Sequence, residues 1–158
     1  MKRPSIIAVV ENGETRCGLT EEITGLGSLP YRLTRSCPER WEKPQNVFQS
    51  MEEVLTEVSL EQYQAYLDHP EEADDYNAMI EIDVDHDVIR IDEDTGMERE
   101  YHEYPLGQFV SKAWTLRERR RDCGNDWFAS YKVYLAMKPI EISRQEYNMR
   151  GMDLGQRL

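Results

Sequence analysis

The sequence predicts an α+β fold, a mainly antiparallel β-sheet with about three helices packed on one face. Two patterns carry this. Apolar and polar residues alternate over 5–19, 79–104 and 127–142, which is the period of a strand. Apolar residues recur at helical spacing over 50–67 and 107–122, and a further helix is expected over 144–151. A chain of 158 residues fits one domain, so residues 1–158 are expected to form a single α+β domain, with 151–158 as a flexible tail.

Taken in order, Ser5 to Val10 is β-branched and reads as a strand. Glu11-Asn12-Gly13-Glu14 follows, a strong hairpin signal because Asn and Gly both tolerate positive φ, and Thr15 to Leu19 is the return strand. Residues 25–44 read as a long loop with Pro30, Pro38, Pro44 and several basic residues, a candidate contact surface. Ser50-Met51-Glu52-Glu53 has the form of a capping box, with Met51, Val54, Leu55 and Val58 behind it at helical spacing. Ser59-Leu60-Glu61-Gln62 is a second capping box, starting a helix that Pro70 ends.

Ile80, Ile82 and Val84 alternate with Glu81, Asp83 and Asp85, and the apolar phase shifts near Asp85-His86-Asp87, where a turn or bulge is expected. Asp94-Thr95-Gly96 suits a three-residue hairpin loop, which sets Arg90 opposite Glu100 and Ile89 opposite Tyr101. The 107–122 helix is expected to bury Phe109 and Trp114 and keep Arg117, Arg119, Arg120 and Arg121 in water near its C-terminus. A long strand over Trp127 to Ile142 and a helix from Ser143 complete the chain.

Hydrophobic content of 39% and charged content of 32% belong to a globular chain with a well-solvated surface. No apolar run approaches the roughly 20 residues that span a bilayer, and the first residues lack a signal-peptide core, so the cytoplasm is the expected compartment. Cys17, Cys37 and Cys123 are odd in number and widely spaced, which implies reduced thiols. The net charge of −12 is concentrated in the middle: residues 68–104 hold fifteen Asp and Glu against Arg90 and Arg99, a balance of −13. Such a field repels nucleic acid and membranes and attracts basic partners.

Catalytic signatures are lacking. There is no G-x-S-x-G, no phosphate-binding G-x-x-x-x-G-K-[ST] and no H-E-x-x-H, and Pro30 stands where a dinucleotide fingerprint needs glycine. Asp83, Asp85 and Asp87 have the D-x-D-x-D spacing of a cation loop, but Val88 and Asp94 occupy positions where an EF-hand needs glycine and glutamate. No cofactor or metal is expected, and an enzyme is the less favoured reading. The carboxylates of Glu81, Asp83, Asp85, Asp87, Asp92, Glu93, Asp94 and Glu98 are expected to form a solvated acidic face. The function this suggests is a non-enzymatic binding or inhibitor protein that offers this face to a basic protein surface. A DNA- or RNA-handling cleft would be such a surface, occupied as acidic nucleic-acid mimics of the anti-restriction and anti-CRISPR type occupy theirs. The alternatives are a metal-dependent enzyme built on Asp83, Asp85 and Asp87, and an interaction module of a larger assembly.

Overall fold

The computed structural model describes residues 4–21, 44–68, 78–94, 99–123 and 140–141, which form a mixed sheet with helices, an α+β architecture. The strands are β1 (Ser5–Glu11), β2 (Glu14–Thr20), β3 (Thr56–Val58), β4 (Ala78–Asp83), β5 (Val88–Asp94), β6 (Arg99–Pro105) and β7 (Ile140–Glu141). The helices are α1 (Val47–Ser50), α2 (Leu60–Asp68) and α3 (Leu106–Cys123). The sheet order is β3-β2-β1-β4-β5-β6-β7. Five of the six strand pairings are antiparallel, and β1 pairs with β4 in parallel.

The first hairpin forms where its turn chemistry places it. Asn12 and Gly13 take φ of 56° and 76°, both in the left-handed region that suits a two-residue turn. Farther along β2, Gly18 lets the strand pass close to the following segment, since a Cβ there would meet Leu55 at 3.1 Å. The second serine cap also holds: Ser59 Oγ accepts the N–H of Gln62 at 3.1 Å as α2 begins.

The first serine acts differently. Ser50 ends α1 and its hydroxyl donates back to the Val47 carbonyl at 2.8 Å, a bond that closes a turn. Residues 56–58, where the helical spacing that follows Ser50 meets the short extended piece expected before the Ser59 helix, are a strand paired with β2. Pairing of Val58 with Cys17 and Thr56 with Leu19 satisfies backbone groups that a helix would have satisfied internally, so tertiary context overrides the local pattern.

The β5–β6 register also departs from expectation. Arg90 faces Glu103 and Ile89 faces Tyr104, a slip of three residues. An odd slip reverses the face of every β6 side chain. The observed register puts Tyr104 in the core against Phe109, with ring centroids 5.5 Å apart.

One face of the sheet carries Ile7, Val9, Ile80, Ile82, Ile89, Ile91 and Tyr104, covered by Val47, Phe48 and Met51 from α1 and its turn and by Leu106, Phe109 and Val110 from α3. Trp114 packs against this core half-buried, and Phe109 is fully buried. The other face carries Ile6, Ala8, Val10, Cys17 and Met79 beneath Tyr63 of α2. Helices therefore lie on both faces, because Tyr63 and Phe109 bury their rings against opposite sides of the same strands. The 25–43 part of the long loop, the 127–139 strand segment, the helix from Ser143 and the tail lie outside the described residues, as do the side chains of Arg117 to Arg121. Among the described residues no helix is long and apolar enough to cross a membrane.

Candidate functional site

The eight carboxylates singled out from the sequence do not form one solvated face. Glu81, Asp83, Asp92 and Glu93 are buried, and among the described side chains of the eight only Asp85 and Asp87 are exposed. The side chain of Asp94 and the whole of Glu98 lie outside the described residues. Alternation along β4 sends Glu81 and Asp83 away from the isoleucine face, as expected, but that second face is itself covered.

Burial forces each of these acids into a specific arrangement. Glu81 Oε1 accepts the Tyr63 hydroxyl at 2.9 Å, so α2 reaches the sheet through a polar tip as well as an apolar ring. Glu81 Oε2 lies 3.1 Å from Arg90 Nε, both side chains more than nine-tenths buried. The Nε–H points off that line, so the contact is an ion pair without a well-formed hydrogen bond. Across the strands, Ala8, Glu81, Arg90 and Glu103 stand in one row. Burial pushes the Glu81 carboxyl above the ordinary range and the charge of Asp83 adds to this, while Arg90 and the Tyr63 hydrogen bond oppose it. In the same layer, burial pushes the Cys17 thiol up to about 12, with Glu81 and Glu57 adding to the effect, so Cys17 is an inert thiol.

The D-x-D-x-D residues diverge instead of converging. Asp83 turns back on its own loop, accepting the His86 backbone N–H at 3.0 Å and contacting His86 Nδ1 at 2.9 Å. Asp85 reaches the first hairpin, its two oxygens accepting the Asn12 and Gly13 N–H groups at 2.9 Å each. Asp87, at φ 55°, accepts the Gly107 N–H at 2.8 Å and so caps the start of α3. Each carboxylate serves a different backbone segment, which removes the shared cavity a cation loop requires.

Two further groupings come together instead. The first is an acidic edge. Residues 46–68 contain Glu52, Glu53, Glu57, Glu61 and Asp68 and no Lys or Arg, and all five side chains are exposed along the edge strand β3 and its flanks. Arg16 of β2 is held there: Nε and Nη2 donate to the two oxygens of Glu57 at 3.0 and 3.1 Å, and Glu52 lies 3.4 Å away. Its guanidinium carbon lies 4.2 Å from the centroid of the Phe48 ring. The hydrogen bond to Arg16 lowers the Glu57 carboxyl below its ordinary value. The run without cations over 46–68 was the available signal, and the capping-box reading of the same glutamates obscured it.

The second grouping is Glu93, Glu100 and His102, on the isoleucine face near the β5–β6 connection. One ligand atom from each lies within 4.8 Å of the others. His102 Nε2 is 3.1 Å from Glu100 Oε2.

Comparison with protein-family models, with curated proteins and with solved structures finds no match to this chain.

Proposed function

We propose that the protein is a non-enzymatic binding protein that presents carboxylates to a basic site on a partner, and that its working surface is the β3 edge. The reading is supported by one observation above the rest: five exposed carboxylates over 52–68 with no Lys or Arg between 46 and 68. Glu57 holds the Arg16 guanidinium bidentately beside the Phe48 ring, which supports the reading that carboxylates of this edge suit a guanidinium. Glu53, Glu61 and Asp68 extend the same surface outward. A DNA- or RNA-handling cleft is partner chemistry that fits a row of exposed carboxylates. The contact set is thus moved from the 81–98 segment to the 52–68 edge, because burial and backbone capping engage the described acids of the former.

The test is capture of partners on the immobilised full chain as salt is stepped, with duplex DNA as competitor. Binding should be displaced by DNA and lost by 1 M salt, where screening acts over about 3 Å. It should also be lost when Glu53→Gln, Glu57→Gln, Glu61→Gln and Asp68→Asn are combined. Capture that resists both 1 M salt and the amide set would overturn the reading and point to an interaction module bound through apolar surface.

A further inference from the structure

We infer that Asn12-Gly13 is a site of spontaneous deamidation held in check by the carboxylate of Asp85, and that its conversion releases the first hairpin from the 84–87 turn. Asn12 is the only asparagine in the chain followed by glycine. The chemistry is an internal acyl transfer. The Gly13 amide nitrogen, once it has lost its proton to solvent, attacks Cγ of Asn12. The bond from that nitrogen to Cγ forms, the Cγ–Nδ2 bond breaks, and the side-chain nitrogen takes a proton from water and leaves as ammonia. Water then opens the cyclic imide. Opening at Cγ leaves an aspartyl residue, and opening at the main-chain carbonyl leaves an isoaspartyl linkage that runs through Cβ. Water is consumed, ammonia is released, and nothing is oxidised or reduced.

Sterics offer the turn no protection. Asn12 and Gly13 are both exposed, and a Cβ built on Gly13 would meet nothing within 4 Å among the described residues. The restraint is a hydrogen bond. One oxygen of Asp85 accepts the Gly13 N–H and the other accepts the Asn12 N–H, each at 2.9 Å. A carboxylate holding the Gly13 N–H opposes its deprotonation, because the amide anion would form beside a negative charge. The same bond fixes the peptide plane that has to rotate for the nitrogen to reach Cγ. Asn46 is the internal comparison. It is exposed and left-handed too, at φ 54° beside 56° for Asn12, but the residue after it is Val47, β-branched and buried, which crowds the nitrogen. Backbone conformation therefore does not set Asn12 apart; the bare glycine behind it does, and Asp85 is what stands in the way.

The clip that guards the nitrogen also joins two parts of the sheet. It lies just beyond the bond from the Val84 N–H to the Val10 carbonyl, 2.8 Å, at the end of the β1–β4 pairing. An isoaspartyl linkage inserts a methylene into the main chain of a two-residue turn, and either product adds a carboxylate to the turn that Asp85 holds. Like charge and altered geometry both act against the two N–H bonds, so the modification frees the tip of the hairpin covalently.

Peptide mass mapping of the full chain over time at mildly alkaline pH, with isoaspartyl content read in parallel, tests this. The wild type should convert Asn12 ahead of Asn46, and more slowly when folded than in denaturant. Asp85→Ala should convert Asn12 about tenfold faster than the wild type or more, as loss of a hydrogen bond to a charged acceptor implies. Asp85→Asn, which keeps an acceptor without the charge, should also be faster. Asp87→Ala is the control: it removes the α3 cap from the same turn, leaves the clip in place, and should convert Asn12 at the wild-type rate. In denaturant all four chains should react alike, so a variant that has simply failed to fold is recognised by showing its denatured rate in buffer. The proposal is overturned if the wild type reacts as fast folded as unfolded, if the folded Asp85 variants keep the wild-type rate, or if Asp87→Ala accelerates Asn12 as much as Asp85→Ala. No partner enters the measurement, so its outcome is separate from that of the capture experiment.

Discussion

On one side of the sheet Ile80, Ile82, Ile89 and Ile91 meet Phe109 and Val110. On the other, Glu81, Asp83, Arg90 and Asp92 belong to the same two strands, one residue out of phase, and are buried just as deeply. The first face gains from every methylene it removes from water, about 25 cal/mol per Å². The second must first overcome the desolvation of its charges, and it does so only where geometry supplies a partner. The difference teaches that burial alone does not mark a stabilising layer: the isoleucines gain directly from leaving water, whereas Glu81 depends on Arg90 and Tyr63 to be buried at all.

The largest test of that contrast is Arg90→Met, which leaves Glu81 buried without its ion-pair partner and should cost about 3 to 5 kcal/mol by denaturant unfolding. Replacing both members, Glu81→Met with Arg90→Met, should recover most of that loss. If the double variant is no better than the single one, the pair contributes more than its desolvation costs, and the contrast between the faces narrows. Next in size is Tyr63→Phe, which removes a hydrogen bond to a buried carboxyl group and should cost about 1 to 3 kcal/mol.

The Tyr63 variant has a pH counterpart. Glu81 is raised above its unfolded value of about 4.3, so its favourable contribution is complete below that pH and is lost as pH rises through the folded value. Arg90 and Tyr63 temper the shift, Asp83 adds to it, and Cys17, far up its own range, does not titrate in this window. The melting temperature of the wild type relative to Glu81→Gln should therefore fall steadily from about pH 4 toward neutrality. A gap that widens instead would mean that Glu81 ionises more readily in the fold than outside it. The smallest effect belongs to the exposed edge: Glu57→Gln should leave the melting temperature unchanged while releasing Arg16, seen as a new environment for its Nε–H by NMR.

Much of the fold was legible in the chain. The 5–20 hairpin followed from Asn12-Gly13, α2 from Ser59, the 84–87 turn from the phase shift, and α3 from its apolar stripe. What escaped was long-range. Glu81 in alternation with Ile80 and Ile82 looks the same whether water or a helix covers it, because Tyr63 and Arg90, which make its burial tolerable, are not encoded in that pattern. The β5–β6 register places Tyr104 against Phe109, a contact across a strand–helix junction that the Asp-Thr-Gly spelling does not encode. At Ser50, a capping-box spelling ends a helix instead of starting one, its hydroxyl donated to the Val47 carbonyl. The acidic site suffered most, since counting carboxylates along the chain says nothing about which of them a backbone N–H will claim.

The parallel pairing of β1 with β4 has a consequence in time. Hairpins such as β1–β2 and β4–β5 close locally, within the microseconds typical of that event. Joining them requires Ile7 to find Ile80 and Asp85 to find the Asn12-Gly13 turn, with α1, β3 and α2 carried in the intervening loop. Loop-closure entropy is spent there before any contact repays it. Assembly of this chain is therefore slow at one seam and fast on both sides of it. An arrested molecule would consist of two formed hairpin units whose β1 and β4 edges are bare, and each of those edges could be captured by the same segment of a neighbouring chain.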